Sequence, residues 1–357
     1  MQPVRGSILA TKRLIENYLL SFPHVNGVGI GYRKVNGKRT DEIAIIACVD
    51  QKLDRTQLPA SAIVPRRCGI HHIDVQETGP IYALNTGDAA PHSADRTERH
   101  RPAPPGVSIG HKDITAGTLG CLVRGVGSGD IFILSNNHVM ANSNEGKVDD
   151  PIYQPGVYDG GTEEDTIATL VDYVPIIFGG MKCPISHWLA RSLNWLEDKF
   201  KSGLYWSVQG IPRLDQCNVV DAAIARPLEH WETYVQPGIL GVEQQIPQGS
   251  KTALLGMPVV KSGRTTGVTT GYISMLDATI LVRYGGSFYE RMALFKHQIG
   301  IEPGGFSAGG DSGSAILCSD DWTVVGLLFA GSSAKTFANP IHSVLQYLNL
   351  HVYTGEH

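Results

Sequence analysis

The sequence predicts a mainly β protein, built as a barrel or sandwich of short antiparallel strands and preceded by a small α+β unit. Two observations on composition and texture carry this. Gly (41) and Pro (20) are plentiful while charged residues make up 18%, a balance that suits strands and tight turns better than helices. From Val107 onward, short apolar runs are broken by Gly, Asn and Pro, the texture of an all-β domain. A third observation sets off the beginning of the chain, where a helical stripe and two strand-like runs precede a change in composition.

The helical stripe lies in residues 7–20, with Ile8, Leu9, Leu14, Ile15, Tyr18 and Leu19 on one face. The runs Val25 to Tyr32 and Glu42 to Val49 read as strands, and Asn36-Gly37 between them is a hairpin turn signal. This α+β unit is assigned to residues 1–88. Residues 89–106, AAPHSADRTERHRPAPPG, hold four prolines and almost no bulky apolar side chains, which predicts an exposed linker. Arg96, Arg99 and Arg101 would make it a processing site, though an uncut hinge is the simpler reading. The main domain spans 107–357. Its strands are expected at Thr118 to Arg124, Asp130 to Leu134, Thr166 to Val171, Val219 to Ala225, Thr252 to Val260, Thr279 to Val282 and Thr323 to Phe329. Within it, residues 184–206 carry Trp188, Leu189, Leu193, Leu196 and Phe200 at helical spacing. This insertion reads as a helix packed on the strands, with a lid or a surface for a regulatory partner as the alternative.

Several function classes are excluded by what is missing. The net charge is -4 with no basic block, against nucleic-acid binding. The chain has no run of eighteen apolar residues for a membrane span, and Lys12, Arg13 and Glu16 interrupt any signal-like segment. The six cysteines, 48, 68, 121, 183, 217 and 318, form no CxxC pair. Reduced cysteines and a cytoplasmic location are the expectation. His71-His72 and the other histidines lack ligand spacing, and GRTTG around Arg264 lacks the phosphate-loop pattern, so neither metal nor cofactor is expected.

Three segments carry chemistry. They are Ser135-Asn136-Asn137-His138-Val139, Asp221-Ala222-Ala223-Ile224-Ala225 and Gly309-Gly310-Asp311-Ser312-Gly313. A serine hydroxyl is a poor nucleophile until a histidine takes its proton, and a carboxylate on the other imidazole nitrogen fixes the tautomer. His138, Asp221 and Ser312 supply these groups as the catalytic residues. Gly310 and Gly313 permit a tight turn in which the Gly310 and Ser312 N–H groups form an oxyanion hole. Asp311 and Gly313 support that nucleophile loop.

On these motifs the chain resembles the chymotrypsin/trypsin-like serine peptidases, over about Gly106 to Leu350. With GVGIGYR near the start and RPAPPGVSIG before the main domain, it is similar above all to bacterial trypsin-like peptidases related to the plant narrow-leaf protease. The resemblance implies two antiparallel six-stranded β-barrels of the chymotrypsin type and a serine endopeptidase acting on protein or peptide substrates. It also implies that Val259 to Gly267 opens the second barrel, and that Val324 to Gly331 is the strand along which substrate backbone pairs. By loop position Phe306 lies at the base of the primary pocket, where a trypsin-like enzyme for Lys or Arg carries Asp. With Phe329, Ala330 and Gly331 on its wall, the pocket is expected to favour an uncharged P1 residue.

Departures from the pattern are informative. His138 to Asp221 is longer than the family's usual spacing, no cysteine follows His138, and no activation sequence is present to pair a freed N-terminus with Asp311. Asp311 is then held by other local contacts. Regulation by residues 1–88, or by a partner at the insertion, is one expectation. A catalytically inactive protease fold serving as a peptide-binding or scaffold module is the rival from another class.

Overall fold

The computed structural model describes residues 6–54, 56, 58–84, 94–114, 116–179, 216–243, 245–285 and 291–355. The insertion expected at 184–206 lies outside the described residues.

Helix α1 (Gly6–Leu20) covers the hairpin β1 (Val25–Val35) and β2 (Lys38–Val49). Asn36 and Gly37 have φ of 52° and 77°, the left-handed pair that a two-residue hairpin turn requires. Strand β3 (Arg67–Cys68) pairs with β4 (His71–Glu77), which in turn lies parallel to β2. Ile8, Leu19, Val28, Ile30, Ile45, Ala47 and Ile73 close this core. The two-residue strand β5 (Tyr82–Ala83) follows.

The first large sheet comprises β6 (Ser108–His111), β7 (Gly117–Thr118), β8 (Cys121–Gly125), β9 (Ile131–Ser135), β10 (Pro151–Tyr153), β11 (Thr166–Tyr173), β12 (Ala223–Pro227) and the C-terminal β19 (Leu350–Val352). Its order is β19-β8-β9-β12-β11-β10-β6-β7, wrapped around Ile109, Leu122, Ile133, Ile152, Ile167 and Leu170. The second is built from β13 (Pro258–Gly263), β14 (Gly267–Tyr284), β15 (Arg291–Glu302), β16 (Ala315–Cys318), β17 (Val324–Gly331) and β18 (Thr336–Pro340). Its path β13-β16-β17-β18-β15-β14 returns to its start through β13–β14, so six antiparallel strands close a barrel. Ile273, Ile299, Ile301, Phe306, Ile316 and Leu328 fill part of its interior.

The N-terminal strands extend this second sheet. Strand β1 pairs antiparallel with β14, Gly27 opposite Ile280 and Val28 opposite Thr279. The approach is close enough that a Cβ on Gly31 would lie 2.5 Å from the Ser274 carbonyl oxygen. Under the helix, the buried Lys12 ammonium reaches Glu16 Oε2 at 2.6 Å and Thr279 Oγ1 at 2.9 Å.

Some expectations are corrected. The exposure expected of 89–106 holds at Asp95, Glu98, Arg99 and Pro102 but not at Arg96 or from Ala103 to Gly106, which are buried. Arg96 is buried, donating to Gly106 O at 3.1 Å and Ser262 Oγ at 2.6 Å, and Ala103 N donates to Tyr234 O at 2.8 Å. Backbone groups that find partners in this way let a proline-rich stretch pack instead of swinging free. The strand expected from Val219 begins only at Ala223, because side chains of Asn136 and Asn339 take the Asp221 backbone groups. The four residues Thr279 to Val282 are part of the 18-residue β14. That length was hidden because β14 faces β13, β15 and β1 in succession and is broken by register shifts, which disturb any simple alternation. Cys48, Cys68, Cys121, Cys217 and Cys318 are free thiols. Among the described residues no helix is long and apolar enough to cross a membrane.

Candidate active site

The site lies between the two large sheets, and each contributes what its local sequence can hold rigid. Strand β9 ends at Ser135, and the chain turns into the short helix Asn137–Met140, which carries His138. Asn137 ties this turn down, its amide donating to Val174 O at 2.8 Å and to Asn144 Oδ1 at 2.7 Å. Asp221 sits just before β12, which pairs with β9, Ala223 opposite Ser135. Adjacent strand ends therefore bring the imidazole and the carboxylate together.

His138 Nδ1 lies 2.6 Å from Asp221 Oδ2, and the backbone N–H of His138 donates to Asp221 Oδ1 at 3.2 Å. Both side chains are buried. In a neutral ring, a carboxylate facing Nδ1 favours the tautomer that carries the proton there. His138 Nε2 is buried and has no hydrogen-bond partner among the described residues. An unpaired buried acceptor is costly.

Two neighbours of Asp221 were not legible as functional in the sequence. The Tyr284 hydroxyl, from the end of β14, donates to Asp221 Oδ2 at 2.8 Å. Its ring stands edge-on to His138 with centroids 5.8 Å apart. Burial, first, and then the Asp221 charge hold the Tyr284 phenol far above its ordinary pKa, so it stays a donor. Asn339, from β18, accepts from Asp221 N at 3.2 Å and returns its amide to Asp221 O at 3.1 Å. Tyr284 and Asn339 both come from the second sheet and reach across to Asp221, the tyrosine to its carboxylate and the asparagine to its backbone.

The nucleophile loop reaches back the other way. Gly310 and Gly313 have φ of 94° and 93°, where a side chain would be strained, and a Cβ on Gly313 would lie 2.0 Å from Ser135 Oγ. Thr118, on β7 of the first sheet, clamps the loop. Its hydroxyl donates to Gly310 O at 2.8 Å and its N–H to Ser312 O at 2.8 Å. The same hydroxyl accepts from Arg264 N at 3.0 Å, and Ser135 Oγ donates to Thr118 O at 2.8 Å.

Asp311 points away from the imidazole. It accepts from Thr265 N at 2.8 Å, Thr266 N at 3.1 Å, Thr266 Oγ1 at 2.6 Å and Ala308 N at 3.0 Å. Lys261 Nζ stands 3.5 Å from it, both side chains fully buried. Burial pushes the Lys261 ammonium down to about 8, with Asp311 acting against that shift. Lys261 and its threonine neighbours thus supply the local contacts of the Asp311 carboxylate.

Ser312 is fully buried, and its hydroxyl donates to Phe329 O at 3.3 Å. Phe306 lies in the second barrel's core, while Phe329 and Ala330 belong to the apolar cluster that also holds Tyr284 and Phe295. Ala330 and Gly331 pair with Ala83 and Tyr82 of β5. Strand β17, expected to form the pocket wall, is therefore paired with the chain's own N-terminal segment, an arrangement no local motif signals.

No family model matches the sequence, and no curated protein matches it. Among solved structures the chain is similar to chymotrypsin-like serine proteases. One is a glutamic acid specific serine protease, at 16% identity and TM-score 0.43, covering 70% of this chain and 100% of that one. Another is Protease A of Thermobifida fusca, at 18% identity and TM-score 0.44, covering 71% and 99%. A third is the Nocardiopsis protease, at 15% identity and TM-score 0.41, covering 70% and 98%. At such scores these likenesses carry no weight for mechanism or specificity.

Proposed function

We propose that this protein is a serine endopeptidase in which Ser312 is the nucleophile, His138 the general base and then acid, and Asp221 the group that orients the imidazole. The observation that carries this reading is the pair His138 Nδ1 to Asp221 Oδ2 at 2.6 Å, with His138 Nε2 buried and without a hydrogen-bond partner among the described residues. Ser312 Oγ attacks the substrate carbonyl while its proton passes to His138 Nε2. The Gly310 and Ser312 N–H groups stabilise the oxyanion, and His138 returns the proton to the leaving amine. Water then releases the acyl group by the same route. An uncharged P1 residue is favoured, since Phe306, the residue expected at the pocket base, is apolar and buried. Control by the N-terminal unit completes the reading, because its strand β5 pairs with β17.

One observation favours the inactive-module alternative: Ser312 Oγ is directed to Phe329 O. Labelling by a serine-directed fluorophosphonate separates the two. Slow labelling of the covered serine, abolished by Ser312→Ala, is the expected result. A folded protein that takes no label after long exposure would sink the enzyme reading.

A further inference from the structure

The covered cleft has a specific occupant, and its register is that of a substrate. Strand β5 lies antiparallel to β17, with Ala83 opposite Ala330 and Tyr82 opposite Gly331. Past the end of β5, Leu84 N donates to Phe329 O at 3.1 Å. The Leu84 carbonyl oxygen in turn accepts from Gly310 N at 2.9 Å. Gly310 N–H is the donor assigned to the oxyanion hole, so the carbonyl it holds is the one presented for attack. Phe329 O receives both Leu84 N, at 3.1 Å, and Ser312 Oγ, at 3.3 Å, which puts the nucleophile and the Leu84 backbone on one acceptor.

The Leu84 side chain fits the same register. Its two methyl groups lie 3.4 Å from where a Cβ on Gly331 would stand, so the side chain rests against that glycine. It packs on the apolar cluster that contains Phe306. The residues just before it are anchored to the N-terminal sheet, with Thr78 N donating to Val49 O at 2.9 Å and Asn26 Nδ2 to Gly79 O at 2.7 Å. On the other side Arg283 N donates to Ile81 O at 2.9 Å. The segment is thus held between β14 and β17 as an added strand.

We propose that residues 81–84 fill the acyl side of the protein's own cleft and that the chain cuts itself after Leu84. This rests on the serine-endopeptidase reading. Ser312 Oγ bonds to the Leu84 carbonyl carbon, its proton going to His138 Nε2. The bond from that carbon to the Asn85 nitrogen breaks, and His138 gives the proton to the new amine. Water, deprotonated by the same imidazole, then cleaves the Leu84 ester, leaving a Leu84 carboxylate and free Ser312. Fragment 1–84 stays in place through β1–β14 pairing and the buried Lys12 cluster, as a product that obstructs the cleft. For substrates in trans, the same pocket selects leucine or a similar apolar P1 side chain.

The test follows the full chain by intact mass over time. The wild type is expected to resolve into 1–84 and 85–357, which co-elute in native gel filtration and separate in denaturant. The cleavage rate should be independent of protein concentration, and Ser312→Ala should stay whole. Leu84→Met should still be cut. Leu84→Asp, which would bury a carboxylate in the apolar site, should slow cleavage by about 100-fold and raise both labelling by the fluorophosphonate and turnover of an added leucyl peptide. A wild type that hydrolyses the peptide or takes the label yet stays intact at Leu84 overturns the proposal. So does cleavage elsewhere, cleavage that speeds up with concentration, or an Asp variant cut at the wild-type rate. If neither the wild type nor Leu84→Asp is labelled, the nucleophile itself is refuted, and the endopeptidase reading falls with the cleavage.

Discussion

Thr118→Val tests whether the first sheet holds the nucleophile loop of the second. The two side chains are nearly the same shape, so the change removes the hydroxyl without opening a cavity. Two buried backbone groups then lose their partner: Gly310 O, bonded at 2.8 Å, and Arg264 N, at 3.0 Å. Each unpaired buried group costs about 1–3 kcal/mol, and the added methyl group returns about 0.8 kcal/mol. The net loss expected is about 1–5 kcal/mol, read as a lower urea midpoint at unchanged slope. Because Gly310 frames the oxyanion site, kcat/KM on an apolar peptide should fall about tenfold as well, equivalent to about 1.4 kcal/mol of barrier. Thr118→Ser keeps the hydroxyl and should recover most of both losses. A Val variant within about 0.5 kcal/mol of wild type, with undiminished kcat/KM, would refute the reasoning.

Tyr284→Phe removes one donor from the buried Asp221 carboxylate. A hydrogen bond to a charged group is worth about 1.5–3 kcal/mol, and a stability loss in that range should accompany a fall mainly in kcat, with KM little changed. A neutral outcome in urea unfolding and kinetics would show that Tyr284 does not position the carboxylate. Lys261 yields a pH prediction. Its folded value of about 8 lies below the ordinary 10.5, so between those values the unfolded chain holds a proton that the folded chain has released. Its contribution to stability is therefore fully present above about pH 10.5 and is lost as pH falls through about 8. Against Lys261→Met, wild-type stability should gain from pH 8 to 10.5, while peptide turnover declines as pH rises through about 8, where Asp311 loses its paired charge. Parallel stability curves for the two proteins would contradict this account.

Much of the candidate site is legible in the chain because its chemistry is local. The turn Gly310-Asp311-Ser312-Gly313 needs glycine at two left-handed positions, and the sequence places them there. His138 and Asp221 each abut an apolar strand, and β9 and β12 are neighbours in the first sheet. The supporting groups escape a linear reading. Thr118 and Gly310 are 192 residues apart, Asn339 and Asp221 are 118 apart, and Tyr284 and Asp221 are 63 apart. Each is an ordinary residue in its own segment, and only its hydrogen bond across the sheets gives it a role.

The fold divides in a similar way. Period-two apolar runs and an Asn-Gly turn suffice to announce strands and the first hairpin, because those signals act over a few residues. They do not announce that β1 joins β14, or that an 18-residue strand bends past three partners. Nor do they place a proline-rich stretch against the body, where Arg96 finds Ser262. By itself, then, the sequence determined the strand-rich class, the candidate reactive side chains and the glycines that shape the serine turn, all of them set by residue type and near neighbours. Tertiary structure alone decided which carbonyl reaches the Gly310 N–H. That carbonyl is Leu84's, because pairing between distant strands carries the N-terminal segment into the cleft.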